Sequence, residues 1–270
     1  MRTIKKLLLL VLLSTSLFGC LQVDTKVNVK KDGSGTIEET VLIKNEVINM
    51  LKEFAMAFDS TKKDDFSFFK EDEMKAKASE YGEGVKFKSS QTINKRGFDG
   101  YKVVYSFTDI NKIKLNVNPD DKLPMGESPA EEMENDNDYV SFNFIKGNPS
   151  LLTILFPEKK MEKDQTSETT EISDSAMTDQ IDKMIEMFDG MRISVNLFVD
   201  GDIQESNATY VDGNKVTLMD INFAELIKNK DVLVALEKSN QMSRENFKEM
   251  TASIPGIKVE AQEKIIVKIR

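Results

Sequence analysis

The chain has few of the side chains that usually act as nucleophiles or general bases near neutral pH, because it contains one cysteine, Cys20, and no histidine. The absence of histidine excludes Ser-His-Asp triads, imidazole metal sites and the usual neutral-pH general base. Catalysis would have to use serine, threonine, lysine, tyrosine or carboxylate groups, and no motif arranges them. With Cys20 as the only thiol, no disulfide can form within the chain. We therefore expect a protein that is not an enzyme and that carries neither a cofactor nor a metal ion.

Residues 1–19 have the three parts of a secretory signal peptide. Basic residues (Arg2, Lys5 and Lys6) come first, an apolar run follows over residues 7–13, and a short exit leads to Cys20. The apolar run is about half of the roughly 20 residues that span a bilayer, so a permanent transmembrane helix is not expected. The pattern predicts an exported protein whose mature chain begins at Cys20.

The sequence Leu17-Phe18-Gly19-Cys20 resembles the lipobox of bacterial lipoproteins. The resemblance implies that the Cys20 thiol becomes a diacylated thioether and that the chain is cleaved before it. Two or three acyl chains hold a protein durably on a membrane, whereas a single chain does not. The alternative is an ordinary signal peptide followed by a chance cysteine. Leu21 and Gln22 stand where an aspartate would imply retention in the inner membrane, so the resemblance favours the outer membrane if the organism is diderm.

The rest of the chain is acidic and long enough for one large domain or two small ones. Residues 20–270 keep 34 of the 37 basic residues and all 46 acidic ones, which gives a net charge of −12. This charge argues against nucleic acid as a partner and against lying flat on anionic lipid. Polar stretches at about 119–138 and 157–175 lack apolar periodicity, so we expect them to be linkers within one domain. The acids of residues 131–138 would allow weak Ca²⁺ binding, but they are more typical of a solvated loop.

Alternation of apolar and polar residues predicts two hairpins in the first half of the chain. The first joins Val23–Val29 to residues 37–43 through the turn Asp32-Gly33-Ser34-Gly35. The second joins a strand that begins near Val85 to Phe98–Phe107. Apolar residues at helical spacing predict an amphipathic helix over residues 45–58, capped by Asn45, and a shorter helix over residues 71–81 that ends at Gly82.

The second half shows the same two kinds of pattern. Residues 139–145 and 151–156 predict a further hairpin, and residues 177–188 predict an amphipathic helix. Three strands are then predicted as a meander joined by tight Asp-Gly turns, namely Arg192–Val199, Ile203–Tyr210 and Lys215–Asp220. Asn222 and Ser243 are candidate helix caps, and residues 257–269 end the chain as a strand. The elements together predict an α+β fold in which an antiparallel β-sheet of hairpins carries amphipathic helices packed on one face.

Three stretches of the chain resemble the LppM-like bacterial lipoproteins, and they cover residues 24–36, 84–110 and 199–216. The resemblance implies an α+β fold with an antiparallel sheet and a role in binding a lipid or envelope component. It names no catalytic residues. The chain departs from the family where Asp200 replaces a proline and Leu218 stands near an expected tryptophan. After about Lys228 the family often has a transmembrane segment, whereas here we expect a soluble helix and strand.

Methionine and phenylalanine residues of the predicted helices are candidates for the lining of an apolar groove beside the membrane. These residues are Met50, Phe54, Phe58, Met184, Met187 and Phe188. The alternative is that they fill an ordinary core. A binding lipoprotein is therefore one hypothesis, and a structural lipoprotein that works by protein contacts in an envelope complex is the second. A hydrolase that uses carboxylates alone is the least favoured.

Overall fold

The structure is a computed structural model, and it describes residues 21–49, 52, 69–95, 97–117, 139–157, 190–229 and 244–270. Its strands, in chain order, are β1 Leu21–Val29, β2 Gly35–Lys44, β3 Lys86–Lys95, β4 Phe98–Phe107, β5 Lys114–Asn116, β6 Tyr139–Ile145, β7 Ser150–Leu155, β8 Arg192–Val199, β9 Ile203–Ser206, β10 Val211–Asp212, β11 Lys215–Asn222, β12 Ile257–Val259 and β13 Lys264–Ile269. Its helices are α1 Glu71–Ala76, α2 Phe223–Ile227 and α3 Arg244–Thr251, with 3₁₀ turns at Lys77–Tyr81 and Ile110–Lys112.

The first sheet is built around β1. Its strands follow the order β10-β11-β8-β1-β2-β4-β3, and β12 pairs with β11. The β1–β2 hairpin confirms the prediction, with pairing that runs from Leu21 opposite Ile43 to Val29 opposite Gly35. Side chains of β1 and β2 alternate strictly between buried and half-buried positions, as a strand with one face on the core requires. The β3–β4 hairpin also forms as predicted.

The predicted antiparallel sheet is confirmed only in part, because β1 and β8 of the first sheet pair in parallel. Their register runs from Gln22 opposite Arg192 to Val29 opposite Val199. Parallel neighbours need a long crossover connection, and here about 160 residues separate the two strands. The first sheet is therefore mixed, and its two halves are joined by strands that are far apart in the chain.

The second sheet follows the order β5-β6-β7-β13-β9 and is antiparallel throughout. It corrects the predicted meander, because β9 pairs with β13 and not with β8. After β8 the chain crosses to the other sheet at Asp200-Gly201 instead of turning back in a hairpin. The backbone N–H of Asp200 donates to Val29 O at 2.8 Å in the first sheet, and that of Asp202 donates to Arg270 O at 3.1 Å beside the second. The last predicted strand is likewise divided, since β12 belongs to the first sheet and β13 to the second.

The helices in the described ranges are few and short. The structure confirms that helices accompany the sheet, but it does not show them packed together on one face. Residues 45–49 are helical, but most of the helix predicted over residues 45–58 lies outside the described residues, as does the one predicted over residues 177–188. The segment 71–81 forms α1 and a 3₁₀ turn, and it ends at Gly82 with φ +120° as expected. Asn222 caps α2 by accepting from the N–H of Ala224 at 3.1 Å. The fold is therefore mainly β-sheet with a minor helical part.

Buried side chains of both sheets belong to one hydrophobic core. Ile37, Tyr105 and Leu197 represent the first sheet, and Leu152 and Ile265 represent the second, with every one of them almost fully buried. Burial of each large apolar side chain contributes roughly 1.5–3 kcal/mol, and without a disulfide this packing is the main source of stability. No helix in the described part of the chain is long and apolar enough to cross a membrane.

Candidate functional site

The position of Leu21 is the structural feature closest to the predicted lipid attachment. Leu21 is the first residue of β1, it is 4% exposed and it pairs with Ile43 of β2. Consecutive Cα atoms across a trans peptide are about 3.8 Å apart, so the residue expected to carry the acyl chains is bonded directly to the ordered sheet. The sequence predicted the first strand from Val23, and in the structure it already begins at Leu21.

The residues proposed from the sequence as sites cannot be placed relative to one another. Cys20, Met50, Phe54, Phe58, Met184, Met187 and Phe188 all lie outside the described residues. The apolar groove therefore stays a prediction. In the part of the chain that is described, no group of three or more His, Cys, Asp or Glu side chains could hold a metal ion.

The structure reveals a buried polar cluster that sequence reasoning missed, and Glu39 of β2 is its centre. The Glu39 side chain is fully buried and lies on the core face of the first sheet between Ile37 and Val41. Its Oε2 accepts a hydrogen bond from Tyr81 Oη at 2.6 Å. Its Oε1 accepts from Lys77 Nζ at 2.7 Å and from Tyr101 Oη at 3.2 Å. We call Glu39, Lys77, Tyr81 and Tyr101 the Glu39 cluster.

Two elements position the donors of the Glu39 cluster. Lys77 and Tyr81 are the first and last residues of the 3₁₀ turn that follows α1, so the whole turn lies over the sheet. Met74 of α1 and Ala78 of the turn are both buried, and Tyr105 of β4 donates to Met74 O at 2.9 Å. Tyr101 comes from β4, and its ring contacts Phe69 edge-on with 5.0 Å between centroids. The cluster therefore joins α1 and its 3₁₀ turn to β2 and β4.

The electrostatics of the cluster keep its phenols protonated. Burial is the largest effect and raises the pKa values of Tyr81 and Tyr101, and the Glu39 carboxylate beside them raises both further. The same two causes raise the pKa of Tyr105. A protonated phenol is a hydrogen-bond donor, so Tyr81 and Tyr101, together with Lys77, compensate the cost of burying the Glu39 charge. At neutral pH the arrangement is a stable set of hydrogen bonds, with no phenol poised to give up its proton.

Thr25 adds a second unusual polar group beside Glu39. It faces Glu39 directly in the β1–β2 register and is 2% exposed. Its hydroxyl has no hydrogen-bond partner among the described residues. The sequence did carry a signal for both residues, because each is polar and stands between two apolar residues on the core-facing side of its strand. Thr25 lies between Val23 and Val27, and Glu39 lies between Ile37 and Val41. A polar residue in the apolar register of a strand is informative because it is seldom buried without a partner.

A second buried carboxylate, Glu260, serves a local structural purpose. It is 1% exposed and follows β12 where the chain leaves the first sheet. It accepts hydrogen bonds from Thr209 N at 2.6 Å, Thr209 Oγ1 at 3.0 Å and the N–H of Ala261 at 3.0 Å. Lys248 Nζ donates to the same Thr209 hydroxyl at 2.8 Å. Glu260 therefore fixes two crossing segments by satisfying their backbone donors.

Comparison with known proteins gives little further information. No protein-family model matches the chain, and no curated protein matches it in sequence. Among solved structures, the folded domain of LppM from Mycobacterium tuberculosis, determined by NMR, is similar with a TM-score of 0.29 and 10% identity. The alignment covers 76% of this chain and 84% of that chain.

Proposed function

We propose that the protein is a bacterial lipoprotein, anchored through acylated Cys20, which binds a lipid or another apolar envelope component without catalysing a reaction. The observation that supports the anchor is the start of β1 at Leu21, immediately after the lipobox-like sequence. With Cys20 acylated, an ordered strand at this position would put the start of the folded body at the membrane surface. In a diderm organism the residues after Cys20 favour the outer membrane.

The non-enzymatic part of the proposal is supported by the Glu39 cluster. A buried carboxylate is the kind of group that can serve as a general base when its pKa is tuned and a substrate can reach it. Here both carboxylate oxygens accept hydrogen bonds from the protein's own side chains, and the side chain is fully buried. Its arrangement suits fixing the segment 71–81 on the sheet better than proton transfer to a substrate.

Anchoring is tested by the variant Cys20→Ala, expressed with its signal peptide in a bacterial host grown with an alkyne fatty acid. We expect the wild-type chain to incorporate the fatty acid and to fractionate with membranes. We expect the variant to lose both properties, because it lacks the thiol that forms the thioether. Ser16→Ala, a matched control upstream of the lipobox-like sequence, should leave labelling unchanged. Equal labelling of wild type and Cys20→Ala would exclude the proposed anchor.

The binding part of the proposal is tested by native mass spectrometry of the mature domain, released from its acyl chains and purified from cells. We expect a bound apolar molecule that is lost when Phe54 and Met184 are both replaced by aspartate. A chain that carries no ligand, together with a structure closed to solvent around these residues, would contradict binding. It would leave the anchoring proposal unaffected.

A structural role by protein contacts is the second candidate, and one observation favours it. Ile145 of β6 is 59% exposed and Leu155 of β7 is 40% exposed. Both lie on the face of the second sheet that turns away from the core, as their exposed positions in otherwise alternating strands show. Crosslinking in cells from positions 145 and 155 distinguishes the candidates, because a structural lipoprotein would give a defined protein adduct and a lipid-binding one would not.

A further inference from the structure

We infer that one end of the first sheet lies against the phospholipid surface and that its strands stand away from the membrane. We call this end the anchor rim, and it is formed by Leu21, Lys44, Lys95, Phe98, Arg192 and Asn222. The opposite end is the far rim, formed by the turn at residues 30–34, Phe107 and Val199. The inference rests on the proposed function in one respect, since it requires that Cys20 is acylated.

The register of the sheet defines the two rims without ambiguity. Leu21 faces Ile43, and one residue further along β1, Gln22 faces Arg192 of β8. At the other end of β1, Val29 faces Gly35 and Val199. The ends of β2 and β8 that neighbour Leu21 therefore lie at the same level as the attachment point. β4 follows from its pairing with β2, which places Phe98 opposite Lys44 and Phe107 opposite Gly35.

The length of β1 sets the distance between the anchor rim and the far rim, and this distance is large enough to be detected by experiment. Its nine residues rise by about 3.3 Å each, so Leu21 and Val29 are roughly 26 Å apart along the strand. The acyl chains of Cys20 insert into the bilayer, and Cys20 is one peptide from Leu21. The anchor rim is consequently held at the headgroups, while the far rim lies roughly 26 Å further from the membrane.

The attachment point is central in the sheet, and this favours an upright orientation over a tilt to one side. Of the strands in the described order, three lie on either side of β1. Attachment at a corner would let the body pivot about one edge, whereas attachment in the middle of the rim balances the two sides.

Lying flat on the solvent face of the first sheet is disfavoured by the side chains of that face. Asp24 forms an ion pair with Lys26 and accepts a hydrogen bond from Ser194 on the neighbouring strand at 2.6 Å. Lys102 pairs with Glu38 in the same way. These charges would lose hydration against a membrane, which costs free energy unless each finds a new partner.

Side chains of the anchor rim suit the headgroup region. Lys95 is exposed, and Arg192 keeps 59% of its side chain exposed although it pairs with Asp220. Long basic side chains can place their charge among headgroups while the aliphatic stem contacts apolar material. Half-buried Phe98 lies on the same rim. Exposed Glu46, just beyond Lys44, partly balances these charges, so the acyl chains and not net charge provide the attachment.

The orientation is tested with two single-cysteine variants, Lys95→Cys on the anchor rim and Lys31→Cys on the far rim. Both replace an exposed lysine, so they are matched in charge and accessibility. In the acylated protein the Cys20 thiol is consumed, so the introduced cysteine is the only free thiol. Each variant is labelled with a fluorophore and reconstituted in phosphatidylcholine vesicles that contain headgroup-nitroxide lipid.

We expect the probe at position 95 to be quenched several-fold more strongly than the probe at position 31. Equal quenching at the two positions, or the reverse order, would overturn the orientation. Flotation of unlabelled wild-type protein with the same vesicles distinguishes a failure of the anchor from a failure of the orientation. If unlabelled wild-type protein does not float with the vesicles, the anchor itself is wrong and the orientation falls with it. If it floats and quenching is equal, only the orientation is wrong.

Discussion

At the scale of single residues, Glu39 is the most unusual position in the described part of the chain. A fully buried charge reduces stability by several kcal/mol unless hydrogen bonds and a counter-ion compensate. Glu39 has both, since Lys77 supplies the opposite charge and two phenols supply hydrogen bonds. Replacing a buried ion pair by apolar residues is often neutral or stabilising, so stability alone does not account for this choice. We interpret the cluster as a gain in specificity, because the observed placement of the segment 71–81 brings the hydrogen-bond donors Lys77 and Tyr81 onto the carboxylate.

Removal of one phenol tests this interpretation. Tyr81→Phe deletes the 2.6 Å hydrogen bond to Glu39 Oε2 and leaves a buried carboxylate without that donor. We expect the free energy of unfolding to fall by about 1.5–3 kcal/mol, the range for hydrogen bonds to charged groups. Tyr101→Phe is the matched control, because its hydrogen bond is longer at 3.2 Å and its side chain is half-buried. Tyr101→Phe should lower the free energy of unfolding by less than Tyr81→Phe does, because the longer hydrogen bond is weaker. Urea denaturation measures both, and equal losses would contradict a central role for Tyr81.

The residue pattern would have allowed the Glu39 cluster to be predicted in part. Glu39 and Thr25 occupy the apolar register of two alternating strands, and the strands themselves are evident from the sequence. The partners are not evident, because Lys77, Tyr81 and Tyr101 are 38 to 62 residues away from Glu39 along the chain. Local periodicity tells which side of a strand a residue faces. It does not tell what lies above that side.

At the scale of elements, the segment Asp200-Gly201 shows how a local pattern can predict the wrong connection. Asp-Gly between two strands is typical of a tight hairpin turn, and the following strand does form over Ile203–Ser206. Its partner is β13, about 60 residues further on, so the chain leaves the first sheet at the turn. Hairpins such as β1–β2 were predictable because both their strands and their turn are contiguous. The parallel pair β1–β8 was not, since no local pattern specifies a partner so distant in the chain.

Gly201 is the residue that makes the crossing between sheets feasible. Its φ is +137°, and a Cβ atom on it would lie 2.3 Å from the backbone oxygen of Arg270. We expect Gly201→Ala to destabilise the protein by more than the about 1–3 kcal/mol that such a backbone conformation typically costs on its own. Gly213→Ala is the control, with φ +59° and open space around the new Cβ, and it should cost about 1–2 kcal/mol. Thermal unfolding compares the two, and an equal effect would mean that the crossing is not tightly constrained.

At the scale of the whole molecule, the raised pKa values of the buried tyrosines make stability depend on alkaline pH. Burial and Glu39 raise the pKa values of Tyr81, Tyr101 and Tyr105 above the ordinary value of 10.0 in the folded state. The folded protein therefore holds protons that the unfolded chain releases above about pH 10. Their contribution to stability is fully present below that pH and decreases as the pH rises further.

We expect alkaline titration to show this coupling directly. Ultraviolet absorbance of tyrosinate should increase in a cooperative step that coincides with loss of the β-sheet circular dichroism signal. In Tyr81→Phe the step should move to lower pH, because that variant is less stable and needs less proton release to unfold. Gradual ionisation of all five tyrosines near pH 10, with the sheet intact, would show that the cluster is open to solvent.

The position of β1 in the middle of the first sheet determines how the protein would respond to a mechanical pull. If Cys20 carries the proposed lipid anchor, a force between the membrane and a partner bound to the body would enter through Cys20 and act along β1. Hydrogen bonds between β1 and β2 run perpendicular to the strands, and β8 supports the other side of β1 over eight paired residues. The force therefore loads all these bonds together in shear, whereas a terminal edge strand would be peeled away bond by bond. The proposed anchor would therefore be joined to the body at a strand that resists being pulled out of the sheet.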